Sequence, residues 1–186
     1  MAHLFWDNSN IWIGGQEVCG ILEPNENVYD FRIHARNMLK LVRRRESLPT
    51  REVAGSIPPQ AEEVWAHFGR LGFRTSLLKR VDNLEQYVDE ALLLKIAHTL
   101  LVNTQPDILI ILSGDGSTSE SGLSFPQYMQ IALDRGWRVW CYSWNGSTSG
   151  EIQRLLGGHP NGEWLDLTPH YHSVTFIKDV RSAQRP

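Results

Sequence analysis

A three-layer α/β/α sandwich with a mostly parallel central sheet is the architecture this sequence predicts, on three observations. Short apolar runs alternate with amphipathic stretches of helix length, the pattern of successive βαβ units. Two of the runs, 3–6 and 107–112, are apolar nearly throughout, as strands buried on both faces must be. Pro58-Pro59, Gly72, Gly136 and Gly157-Gly158 punctuate the stretches between. The right-handed crossover rule then places helices on both faces of the sheet.

Each element follows from its own stretch. His3-Leu4-Phe5-Trp6 reads as the first strand. Asp7-Asn8-Ser9-Asn10 has turn and N-cap chemistry, and the segment from Trp12 through Gly14-Gly15, Pro24 and Asn27 reads as a loop. Asp30–Arg45 reads as a helix with Phe31, Ala35, Met38, Leu39 and Val42 on one stripe. Val53–Ile57 reads as a strand, and Ala61–Arg70 as a helix turning Val64, Trp65 and Phe68 inward. Phe73–Leu78 is a strand, Leu84–Val102 a long helix and Asp107–Leu112 the fourth strand. Phe125–Arg135 is a helix closed by Gly136. Trp137–Trp144 is the fifth strand, with Val139, Cys141 and Ser143 on one face and Arg138, Trp140 and Tyr142 on the other. Ile152–Leu156 is a short helix and Trp164–Leu167 a last strand.

The 186 residues suffice for one domain with a substantial core and fall short of two. The expectation is a single domain over 1–180 with a disordered tail at 181–186. Hydrophobic residues at 41% and charged residues at 21% fit a soluble globular chain rather than a disordered one. No apolar stretch has bilayer-spanning length and the start lacks a signal-peptide pattern, so cytoplasmic residence without a membrane partner is expected. Cys19 and Cys141 make no disulfide framework and are expected as reduced thiols. The net charge of −3 advertises no general affinity for nucleic acid. Residues 36–51 nevertheless carry Arg36, Lys40, Arg43, Arg44, Arg45 and Arg51 against Glu46 alone, a local net charge of +5. Arg43, Arg44 and Arg45 are therefore candidate phosphate contacts, with a solvated helix C-terminus as the plain alternative.

The chemistry gathers at strand ends. Asp7 follows the first strand and Asp115 the fourth, within Ser113-Gly114-Asp115-Gly116-Ser117. In open α/β sheets the crevice beyond the carboxyl ends of the strands is where ligands bind. Asp89 is a third acid: counting back by three and four from Leu92 and Leu93 reaches it on the core-facing stripe of its helix. A carboxylate there is costly unless paired or metal-bound, although the helix dipole also favours an acid in a first turn. Magnesium and manganese prefer oxygen ligands and sit on a few carboxylates with waters retained. Glu120, in the following loop, is the candidate fourth ligand; Asn8, Asn10 and Ser117 are candidate substrate contacts. Trp12 and Trp144, beside strand ends, are candidates for stacking on bases. His170 and His172, at i and i+2, would share one face of a strand, but no third ligand arrives at zinc spacing.

Asp7-Asn8-Ser9-Asn10 resembles the opening motif of NYN domains, members of the PIN-like nuclease superfamily. Val88-Asp89-Glu90-Ala91-Leu92 resembles their second motif, and Leu112-Ser113-Gly114-Asp115-Gly116 their third. The run from Phe125-Pro126 through Asp134-Arg135-Gly136-Trp137-Arg138-Val139 is similar to the helix and strand that follow. The resemblance covers residues 3 to about 145. It implies a PIN-like fold, an Mg2+ or Mn2+ ion on Asp7, Asp89 and Asp115, and cleavage of RNA, single-stranded RNA being the expected partner. Asp7 and Asp115 would hold the ion while Asp89 ligates it or positions the attacking water. Many members carry a further aspartate two residues after the third; this chain has Ser117. That departure keeps an alternative open, a weakly active or inactive RNA-binding or scaffold domain of the same fold. A homo-oligomer is compatible with either.

Two other readings fail on single residues. A haloacid-dehalogenase phosphatase wants an aspartate two residues after the first, where Ser9 stands. A metal-dependent adhesion module wants hydroxyls two and four residues on; Ser9 fits and Ile11 does not.

Overall fold

The two apolar runs lie side by side at the centre of the sheet. The structure, a computed structural model, describes residues 1–57, 62–79, 86–119 and 122–178, without the side chains of 56–57, 62, 77–79 and 86–89. In chain order the strands are β1 (Ala2–Asp7), β2 (Phe31–Ile33), β3 (Thr50–Ile57), β4 (Arg74–Lys79), β5 (Ile108–Leu112), β6 (Arg138–Ser143), β7 (Gly162–Asp166) and β8 (Thr175–Ile177). The helices are α1 (Asn8–Leu22), α2 (Ala35–Arg43), α3 (Glu62–Arg70), α4 (Gln86–Val102), α5 (Phe125–Asp134), α6 (Gly150–Gly157) and α7 (Tyr171–Val174).

Six strands form a parallel sheet in the order β4-β3-β1-β5-β6-β7. β1 and β5 are buried at every residue. The chain winds outward from β1 through β3 to β4, returns to β5, and winds outward the other way. The strand order therefore reverses between β1 and β5, and in open α/β sheets the carboxyl edge at such a reversal is where ligands bind. Leu4, Trp6, Val53, Ile110, Leu112 and Trp140 pack on one side under α1, α2, α3 and α7. Phe5, Ala54, Leu109, Ile111, Val139 and Cys141 pack on the other under α4, α5 and α6. These are the three layers expected, and the two faces of β6 divide as its alternation predicts.

Four local expectations are corrected. Residues 8–22 are helix, not turn and loop: Asp7 caps α1, and Gly14 and Gly15 are packing positions. A Cβ on Gly15 would strike the Phe31 ring, and one on Gly14 would strike Ser147 and Trp144. Close tertiary approach overrides the low helix propensity of glycine. The helix expected at 30–45 spans only 35–43, because Phe31–Ile33 pairs antiparallel with β8, some 140 residues away. His170 and His172 lie in a helical turn and α7, not a strand, so i, i+2 spacing points the rings apart. Val64, expected inward, is 42% exposed. The expected helix starts at Ala61 and Leu84, and the tail 181–186, lie outside the described residues. Among the described residues no helix is long and apolar enough to cross a membrane.

α4 is seated by Leu92, Leu93, Ile96 and Leu100 in the core and also touches a buried charge. Glu52 of β3 is 1% exposed; its carboxylate meets Arg74 Nη2 at 2.5 Å and Lys95 Nζ of α4 at 3.4 Å. The helix starts beyond the carboxyl end of β4 and packs across β3 and β1, which brings its first turn to the edge where β1 ends.

Phe68 lies edge-on to Trp6, with ring centroids 5.0 Å apart, and stacks on Trp65 at 5.8 Å. Phe68→Ala is expected to cost about 3–5 kcal/mol. Urea denaturation measures this; a loss under about 1 kcal/mol would mean that α3 does not rely on this aromatic cluster.

Candidate functional site

Asp7 ends β1 and caps α1 at once. One carboxylate oxygen, Oδ1, accepts the Asn10 backbone N–H at 3.0 Å. The other, Oδ2, accepts the Ser113 hydroxyl at 3.1 Å. Ser113 in turn accepts the Asp115 N–H at 3.2 Å. The Asn10 side-chain oxygen accepts the Gly114 N–H at 2.7 Å. The first turn of α1 and the loop after β5 are thus tied together across the strand reversal.

Small residues let this edge close. A Cβ on Gly114 would collide with the Ser147 carbonyl oxygen, and one on Gly116 with the Ser149 side chain. The Gly114 carbonyl accepts the Ser149 N–H at 2.8 Å, and Ser149 caps α6. Trp144, fully buried, donates its indole N–H to the Ile11 carbonyl at 2.7 Å. It therefore cannot stack on a base; Trp12 is partly buried against the same core.

The electrostatics are one-sided. Asp7 is 2% exposed, and burial pushes its carboxyl up to about 6. The nearby Asp115 charge raises it further, against the hydrogen bonds from Asn10, Ser113 and Ser9. Neither aspartate forms an ion pair among the described residues. Asp115 is half-buried and turned onto Ser117: Oδ1 accepts the Ser117 N–H and Oδ2 its hydroxyl, each at 2.8 Å. Cys141 donates its thiol to the Ser113 carbonyl at 3.2 Å; burial pushes it up to about 12, so it packs rather than reacts.

The structure brings together Asp7, Asn8, Asn10, Asp115 and Ser117. Asn8 is half-buried beside Gly55. Asp89 lies in the first turn of α4, at the same edge; its side chain and the whole of Glu120 lie outside what is described. Among the described residues no three acidic, histidine or cysteine side chains are clustered to hold a metal. The groups that do converge, two carboxylates and two serine hydroxyls, are hard oxygen donors of the kind magnesium or manganese takes.

Arg43, Arg44 and Arg45 are not at this edge. They end α2 just before Glu46 and Ser47, which meet Met1 and Ala2 where β1 begins. In a parallel sheet that is the opposite edge from Asp7. Arg44 is also engaged: it binds Glu163 at 2.8 Å and Tyr142 at 3.0 Å, and lies 4.2 Å over the Trp140 ring. Sequence reasoning missed Ser113 and the bridging role of Asn10. The available signal was position, since Ser113 is the first polar residue after five apolar ones.

No known family's profile matches the chain, and no curated protein sequence matches it. Among solved structures it is similar to a crystal structure of a Vibrio parahaemolyticus protein of unknown function, with a TM-score of 0.60 and 14% identity. That likeness covers 89% of this chain and 91% of the other. At such low identity it speaks for the fold alone.

The raised Asp7 pKa has a signed consequence. Between its unfolded value near 4 and its folded value of about 6, the folded protein holds a proton that the unfolded chain has released. Stability from this group is full below the unfolded value and falls as pH rises, by about 3 kcal/mol once pH exceeds 6. Asp7→Asn removes that loss. In chelator, the variant should gain on the wild type by about that amount between pH 4 and 7, measured by urea denaturation. A pH-independent difference between the two would contradict the burial argument.

Proposed function

We propose that this protein is a divalent-cation-dependent ribonuclease that hydrolyses RNA phosphodiester bonds at the carboxyl edge of β1 and β5. The supporting observation is the buried Asp7 carboxylate beside Asp115, with no cationic side chain paired to either among the described residues. Two acids so placed destabilise each other unless a proton or a cation intervenes. Asp7 and Asp115 would hold Mg2+ or Mn2+; by the resemblance to NYN domains Asp89 joins them, and Glu120 stands for the fourth acid. A bound divalent ion supplies an activated water and charge stabilisation for in-line displacement at phosphorus. The protein's own part is positioning. Asn10 and Ser113 fix Asp7 against the loop of Asp115. The reading places the protein in the cytoplasm, with Cys19 and Cys141 reduced.

One observation favours a second reading. Both oxygens of Asp115 are closed on Ser117, at the position where the resemblance leads one to expect an acid. A scaffold or RNA-binding domain with little catalysis needs no open Asp115.

Cleavage of labelled single-stranded RNA with Mn2+ separates the two. Asp115→Asn is expected to lower the rate by at least about 100-fold, the worth of several kcal/mol of lost charge stabilisation. Equal cleavage by both proteins, or none by either across several RNAs, removes the nuclease. RNA binding that survives Asp7→Asn, without cleavage in the wild type, supports the scaffold.

A further inference from the structure

α2 contains no acidic residue. Arg36, Lys40 and Arg43 stand at i, i+4 and i+7, on one side of the helix, and all three are exposed. They span about 10 Å of helix axis. Like charges at this spacing repel, and among the described residues none of the three side chains has an ion pair or hydrogen bond. On α3, Arg70 is exposed and equally unpaired. Arg36 of α2 and Arg70 of α3 both lie near His67. Its pKa is lowered by burial first, and then by the charges of Arg70, Arg36 and His34. Arg44, the neighbour of Arg43, is excluded from this group by Glu163 and Tyr142.

A chain of net charge −3 thus concentrates cations on α2 and at Arg70 that, among the described residues, form no ion pair with an acid. We infer that Arg36, Lys40 and Arg43 of α2, with Arg70 of α3, form a docking track for the sugar–phosphate backbone of single-stranded RNA, separate from the Asp7–Asp115 crevice. The identity of the polyanion rests on the proposed ribonuclease function. Charge complementarity selects the occupant, since flexible cations in a row match a phosphate chain. α2 carries no aromatic residue, so the track reads backbone and not base. An anionic lipid surface fits less well. A membrane-lying helix inserts its apolar face into lipid, whereas Ala35, Met38, Leu39 and Val42 of α2 are buried in the core.

The test is fluorescence anisotropy of a labelled single-stranded RNA in chelator, across salt concentrations. Against the wild type stand Arg36→Ala/Lys40→Ala/Arg43→Ala and a charge-matched control, Arg135→Ala/Arg154→Ala/Lys178→Ala, drawn from exposed cations elsewhere. The α2 triple variant should lose roughly tenfold to thirtyfold in affinity at low salt, and its log–log salt slope should flatten by about 2. The control should bind like the wild type. Arg36→Lys/Arg43→Lys, which keeps the charge, should bind nearly as well, showing that charge and not helix integrity is read. Equal loss in both triple variants overturns the track, as does unchanged binding by the α2 variant. Pelleting with phosphatidylserine vesicles without RNA binding overturns it in favour of lipid. The chelator separates the two proposals. Binding lost in the α2 variant, with no Mn2+-dependent cleavage by the wild type, keeps the track and removes the nuclease. Cleavage with an unchanged KM in the α2 variant does the reverse.

Discussion

Asp7 ends the central strand with its carboxylate shut away from water, and the carboxyl edge of the sheet is arranged around that charge. Its two oxygens take an N–H from the first turn of α1 and a hydroxyl from the loop after β5. Those bonds lower the cost of burial without removing it, which is why the carboxyl stays raised. Because the partners come from elements that leave the sheet in opposite directions, satisfying one charge also fixes how the two halves of a doubly wound sheet meet. The Asn10 bridge to the Gly114 N–H repeats the link between backbone and side chain. The glycines at 114 and 116 follow from it, since the loop drawn in by Ser113 runs against Ser147 and Ser149.

Much of this fold was legible because its strands are buried on both faces. Five apolar residues in a row at 108–112 admit few other readings, and the alternation in 138–143 assigned its two faces correctly. The failures share one cause. α1 looked like a loop because it carries Gly14 and Gly15, whose use is visible only once Phe31 and Trp144 arrive from elsewhere in the chain. Phe31–Ile33 was read into a helix, with Phe31 on its apolar stripe, because β8 lies beyond 170. Local pattern carries no information about a neighbour that distant, and tertiary contact overrode propensity in both places.

The candidate site divides in the same way. Asp7 and Asp115 were found by address, as acids directly after buried strands, and they do come together at one edge of the sheet. Ser113 was passed over as part of a turn, although it joins the two aspartates. The three arginines at 43–45 looked like one patch and are not one. Arg44 reaches across to β6 and β7, while Arg43 belongs with Arg36 and Lys40 on the outer side of α2. A run of like charges in sequence is split by helix geometry into groups facing different ways.

That split bears on how an acidic protein would handle a polyanion. Cations placed against Asp7 and Asp115 would pair with them and compete with a divalent ion for the same oxygens. Cations kept on α2, away from the crevice, leave the carboxylates free and still draw phosphates to the surface. Among the described residues the acids at this edge have no basic partner, and the exposed basic stripe no acidic one. Each is an unbalanced charge that the fold could have neutralised by exchanging a residue between them. Keeping both costs stability, a cost that a cation at the first and a phosphate chain at the second would offset.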